Sequence, residues 1–91
     1  MAKVCLPSML RPLAGGVAEL EVDAPTLGAA LDFVRAGHPA LERRLRDESG
    51  GLRRYVNFYV DGEECRRLEG QETPLTPNAE VRIIPSVAGG A

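Results

Sequence analysis

A chain of 91 residues, 44% hydrophobic and 26% charged, is sized and composed for one globular domain with one modest core. A net charge of −2 and a pI near 5.4 argue against nucleic acid or an anionic membrane as partner, since either favours a basic face. No apolar run approaches the roughly 18 residues a membrane span needs, the N-terminal apolar run is too short for a secretory signal, and the chain is expected in the cytoplasm.

Val4, Leu6 and Met9 fall among small or polar residues, which predicts a first strand across most of 3–10. Arg11-Pro12-Leu13-Ala14-Gly15-Gly16 predicts a turn, with proline fixing φ and the glycines allowing φ > 0. Residues 17–22 alternate, so Leu20 and Val22 are expected to face a core while Glu19 and Glu21 face water. Thr26 is the expected N-cap of a helix whose apolar positions Leu27, Ala30, Leu31 and Val34 recur at i, i+3, i+4 and i+7. Gly37 is read as the C′ residue of that helix and Pro39 as its stop, with His38 a loop residue between them. Residues 39–46 predict a short second helix, Leu41 and Leu45 facing inward and Arg43, Arg44 and Arg46 forming a solvated face; docking of an acidic partner is the rival reading of those arginines. Residues 47–51 read as a mobile loop.

The strongest strand is Tyr55-Val56-Asn57-Phe58-Tyr59-Val60, with Val56, Phe58 and Val60 expected inward and Tyr55, Asn57 and Tyr59 on the opposite face. Asp61-Gly62 predicts a type I′ hairpin turn, and residues 63–68 a short charged return strand at a sheet edge. Leu75 is expected to plug the core from the proline-bearing loop that follows, and a final strand runs from 79 or 80 to 85. Cys5 and Cys65 lack metal-ligand spacing and the chain has one His, so no metal site is expected; both cysteines read as free thiols filling apolar space in strands.

The order β-β-α-(short α)-β-β-β suits an α+β fold, with one main helix covering one face of a mixed four- to five-stranded sheet. The first and last strands are expected as parallel central neighbours, the ubiquitin-like β-grasp arrangement. The domain is read as residues 1–85 and a flexible tail as 86–91. That tail, Ser86-Val87-Ala88-Gly89-Gly90-Ala91, reaches roughly 20 Å when extended, and its glycines have no Cβ to obstruct a narrow site.

The Thr26-Leu27-Gly28 helix start, the Asn57-Phe58-Tyr59-Val60-Asp61-Gly62 strand and turn, and the Gly89-Gly90 near-terminus resemble the ThiS/MoaD sulfur carriers. The Leu10-Arg11-Pro12 turn before Gly15-Gly16 and the ending Ile84-Pro85-Ser86-Val87-Ala88-Gly89-Gly90 are most similar to the actinobacterial cysteine-biosynthesis carriers of the CysO type. The resemblance implies a protein co-substrate rather than an enzyme, with no cofactor or catalytic residue of its own. Gly90 would be adenylated by an E1-like enzyme that uses ATP. Sulfur would then displace AMP to leave a thiocarboxylate, and the carrier would hand the sulfide to a biosynthetic enzyme making cysteine or a sulfur-containing metabolite. Val87, Ala88 and Gly89 would thread the tail into its sites.

Ala91 departs from the family pattern, because Gly90 in a peptide bond offers no carboxylate. The resemblance implies that a JAMM-type metalloprotease cuts between Gly90 and Ala91; a cloning remnant is the alternative. Tyr55, Asn57 and Tyr59 are a candidate partner surface, with ordinary packing as the alternative. Two other functions use the same sequence features: a ubiquitin-like modifier joined to lysines through Gly90, and a non-catalytic β-grasp interaction domain with an inert tail.

Overall fold

The computed structural model describes residues 1–85. Five strands form one mixed sheet: β1 (Ala2–Cys5), β2 (Glu19–Val22), β3 (Val56–Val60), β4 (Glu63–Glu64) and β5 (Glu80–Pro85), in the spatial order β2-β1-β5-β3-β4. β1 and β5 run parallel at the centre, with Val4 opposite Val81, and the remaining pairs are antiparallel. The helices are α1 (Leu27–Gly37) and α2 (Pro39–Leu45).

Strand alternation decides the layers. Val4, Val22, Val56, Phe58, Val60, Val81 and Ile83 are buried from the sheet side; Leu27, Ala30, Leu31 and Val34 of α1 and Leu41 and Leu45 of α2 are buried against them. Leu75 closes the same core from the loop, as expected. Thr26 caps α1 through its hydroxyl, which accepts from the amide of Ala29 at 3.1 Å. Asp61 and Gly62 both take positive φ, 51° and 87°, as a type I′ turn requires. Asp61 also locks the hairpin to β5: its amide donates to Glu80 O at 2.8 Å, and its carboxylate accepts from the Glu80 amide at 2.9 Å.

The structure corrects several expectations. The first strand stops at Cys5, and Ser8–Ala14 is a 3-10 helix between Pro7 and the left-handed Gly15. Pro7 and Pro12 have no amide proton, so this stretch cannot continue a ladder. Arg11 holds the corner instead, its Nε donating to Leu6 O at 3.1 Å. Gly37 is the last residue of α1 rather than its C′ residue; His38 follows it and serves as cap to both helices. The return strand is only Glu63–Glu64, because Glu64 turns back to cap the amide of Arg66 and opens a 3-10 helix at Cys65–Arg67. Cys65 therefore fills the core from a 3-10 turn, not from a strand. The 47–51 segment is a hydrogen-bonded turn rather than a plain loop, gathered on the Asp47 carboxylate by Ser49 and Gly51.

Arg46 is the largest departure. It is buried, not part of a solvated face, and donates to Glu42 at 2.7 Å, Asp32 at 2.7 Å and Gln71 at 3.1 Å. One guanidinium thereby joins α1, α2 and the segment after β4. Gln71 also donates to Gly50 O at 2.8 Å and packs on the start of α1, where a Cβ on Gly28 would meet three Gln71 atoms at 3.2 Å. The glycine of Thr26-Leu27-Gly28 is thus a close-approach residue.

Candidate functional site

β5 lies between β1 and β3, so the strand that leads into the tail is hydrogen-bonded along both edges. Its last residue, Pro85, is opposite Val56, the first residue of β3. The chain therefore leaves the sheet beside the turn that precedes β3. Val87, Ala88, Gly89, Gly90 and Ala91, the residues assigned to threading, activation and processing, lie outside the described residues.

The sheet face turned away from the helices is open. Register places Glu19, Cys5, Arg82, Tyr59 and Glu64 side by side across all five strands, and Ile84 beside Asn57 one step nearer the exit. Asn57 and Tyr59 are half-buried on this face, and Tyr55 is exposed just before it. Asn57 and Tyr59 thus share a face no helix covers, Asn57 nearer the exit, and Tyr55 stands in the turn beside the exit. Ile84, 43% exposed, adds an apolar contact that the sequence reading did not single out. Its signal was present: it shares the outward parity of Arg82 in an alternating strand.

Arg66 frames the exit. Its Nη2 donates to the carbonyls of Arg53 at 3.0 Å and Val56 at 3.3 Å. Its Nη1 donates to Asn57 Oδ1 and Glu64 Oε2, both at 3.3 Å. No spacing rule anticipates this contact, because it depends on the 3-10 turn at 65–67.

Among the described residues the face carries no catalytic constellation. Cys5 Sγ is 4.0 Å from Glu19 Oε2, and burial, then the charges of Glu80 and Glu19, push its thiol above the ordinary range, opposite to what a nucleophile needs. Burial does the same to Cys65. Both cysteines are free thiols. Among the described residues no group of three or more His, Cys, Asp or Glu is placed to hold a metal, and no helix is long and apolar enough to cross a membrane.

A helical layer on one face, parallel first and last strands at the centre and a chain that exits from the middle of the sheet define a ubiquitin-like β-grasp domain. The ThiS family model matches residues 4–90. Over 89 residues the chain is 38% identical to the sulfur carrier protein CysO of Mycobacterium tuberculosis, covering 96% of each. The crystal structure of that protein superposes with a TM-score of 0.88 at 35% identity, covering 96% of this chain and all of the other. CysO in the Amycolatopsis orientalis BexX/CysO complex gives 0.90 at 32% identity, covering 99% of this chain and 100% of that one. The small archaeal modifier protein 1 of Methanosarcina acetivorans gives 0.84 at 33% identity, covering 98% and 95%. The chain belongs to the ThiS family, and with it to the small ubiquitin-like sulfur carrier proteins of the CysO and archaeal-modifier type.

Proposed function

We propose that this protein carries sulfide as a thiocarboxylate on Gly90. An E1-like enzyme adenylates the Gly90 carboxylate with ATP; sulfide attacks the acyl carbon, AMP leaves, and the C(=O)–S⁻ group is delivered to a biosynthetic enzyme that makes cysteine or another sulfur-containing metabolite. The domain binds no cofactor itself. It supplies a positioned acyl group, and the gain is orientation. Val87, Ala88 and Gly89 pass through the partner's channel, where a Cβ at Gly89 or Gly90 would obstruct. Tyr55, Asn57 and Tyr59, with Ile84, rest on the partner beside the exit. With Ala91 attached Gly90 has no free carboxylate, so the reading requires a protease, of the JAMM metalloprotease type, to cut after Gly90 first.

The observation that supports this reading best is the placement of β5. A chain that leaves from the central strand of the sheet, on the border of an uncovered face, starts from a fixed point at Pro85 while the face seats the partner. The test is to incubate protein ending at Gly90 with the activating enzyme, ATP and sulfide, and weigh it intact. The expected result is the mass gain of one sulfur replacing one oxygen, lost on hydrolysis and absent when Gly90 is deleted. An unchanged mass with an enzyme active on its own carrier overturns the reading. Intact mass before and after the protease checks the cut between Gly90 and Ala91 in the same way.

Similarity to small archaeal modifier protein 1, 34% identical in Haloferax volcanii over 71% of this chain, favours one second reading: conjugation through Gly90 to protein lysines. High-mass conjugates in lysates that vanish when Gly90 is deleted would establish it.

A further inference from the structure

Seven of the chain's eleven cationic residues lie between positions 43 and 67, in a protein whose net charge is −2. Hydrogen bonds bring several of them together. Arg66 holds the carbonyl of Arg53, and Arg53 Nε in turn donates to the carbonyl of Arg43 at 2.9 Å. Arg53 begins the turn that ends at Val56, its carbonyl accepting from the Val56 amide at 3.2 Å, so Arg54 and exposed Tyr55 sit within that turn. Val56 is the residue opposite Pro85. Arg53, Arg54 and Arg66 therefore border the point where the chain leaves β5, with Arg43 next outward on α2.

Arg43, Arg53 and Arg54 are left without an ion pair among the described residues. Four acids line the groove beside Arg43 and Arg53, between α2 and the 47–53 segment. Asp32 and Glu42 are taken by Arg46, and Asp47 by Ser49 and Gly51. Of the four, Glu48 alone has no partner among the described residues. Glu64 is engaged with Arg66. Arg43 and Arg54 are exposed and make no side-chain hydrogen bond or ion pair among the described residues, while Arg53 uses its Nε on a carbonyl and keeps its terminal nitrogens available. The Arg43 carbonyl pins Arg53 through its Nε, so little side-chain entropy remains to be lost there when a carboxylate arrives.

We propose that Arg43, Arg53 and Arg54, with Arg66 holding the turn behind them, are a docking rim for carboxylates on the activating enzyme, set around the mouth of the channel that receives the tail. This rests on the carrier reading. The location selects the partner: whatever swallows the tail must come to rest against the residues beside Pro85. It also selects carboxylates over the phosphates of ATP, since an extended tail separates the rim from the acyl end by roughly 20 Å. Paired charges at such a rim steer encounter and fix register, and they act on binding rather than on the chemical step.

The test uses protein ending at Gly90 and the E1-like enzyme of the same organism, read by ATP–pyrophosphate exchange. The variant is Arg43→Glu with Arg54→Glu, two residues whose side chains hold nothing in the fold. The expected result is a KM for the carrier raised roughly tenfold with kcat unchanged. The wild-type KM should climb with added salt while the variant's hardly moves. Arg54→Lys should restore most of the loss. A KM and salt dependence equal to wild type, or a fall in kcat alone, overturns the rim while leaving the carrier intact. Absence of exchange with wild-type protein overturns the carrier reading, and the rim with it.

Discussion

Arg46 Nη2 lies 2.7 Å from Asp32 Oδ1, and through that contact a guanidinium on the end of α2 is tied back to the middle of α1. Burial disfavours the charge on Arg46, but its hydrogen bonds to Asp32 and Glu42 outweigh that and hold its pKa above the ordinary value. The two acids differ: the Glu42 side chain is 12% exposed and that of Asp32 68%. Arg46→Leu should therefore cost about 2–4 kcal/mol, most of it from a Glu42 carboxylate left without its partner. Asp32→Asn should cost under about 1 kcal/mol, because water replaces that partner. Urea unfolding of both variants checks the order; equal losses would contradict it.

Gly28→Ala sets two effects against each other. Alanine in a helix gains up to about 1 kcal/mol over glycine. Here the added Cβ meets Cβ, O and Oε1 of Gln71 at 3.2 Å, and Gln71 is held in place by Arg46 and Gly50. Position 28 is also in the first turn, where propensity counts least. The clash should win, lowering stability by about 1 kcal/mol. Gln71→Ala should remove part of that penalty, and a double-mutant cycle on the two sites measures the coupling.

Asp47 gives the loop a pH dependence. Hydrogen bonds from Ser49 and Gly51 hold its carboxyl below its ordinary value of 3.8. A depressed folded pKa means the ordering is complete above that ordinary value and is lost as pH falls through the folded one. The Ser49 and Gly51 amide resonances should shift together on acidification, with a midpoint below 3.8. Asp47→Asn should flatten that titration.

The two thiols should separate by access. Cys5 is half-buried on the open face, Cys65 is fully buried, and burial raises both above 9.0. Iodoacetamide near neutral pH should label Cys5 slowly, faster as pH rises, and Cys65 only after denaturation. Fast labelling of Cys65 in folded protein would contradict its placement in the core.

Much of this was readable from residue order. The α1 stripe, the Thr26 cap, the inward trio Val56, Phe58 and Val60, the Asp61-Gly62 turn and the parallel central pair are local patterns with one physical solution, and the structure has them. What escaped depends on contacts across the chain. Arg46 reads as a solvated residue because nothing local reveals Asp32 and Gln71 waiting for it, fourteen and twenty-five positions away. The 3-10 turns at Ser8–Ala14 and Cys65–Arg67 follow from a missing proline donor and a single side-chain cap, which periodicity does not register. At the candidate site the open face was legible by parity, whereas the Arg66 frame was not, since it exists only once the short β4 has turned aside.

Because β5 is held by a parallel neighbour over Glu80–Arg82 and by an antiparallel one over Val81–Pro85, a pull along the chain beyond Pro85 loads both ladders in shear. A pull in that direction has to break both ladders before the strand leaves its sheet. The domain is a handle for whatever takes hold of that end.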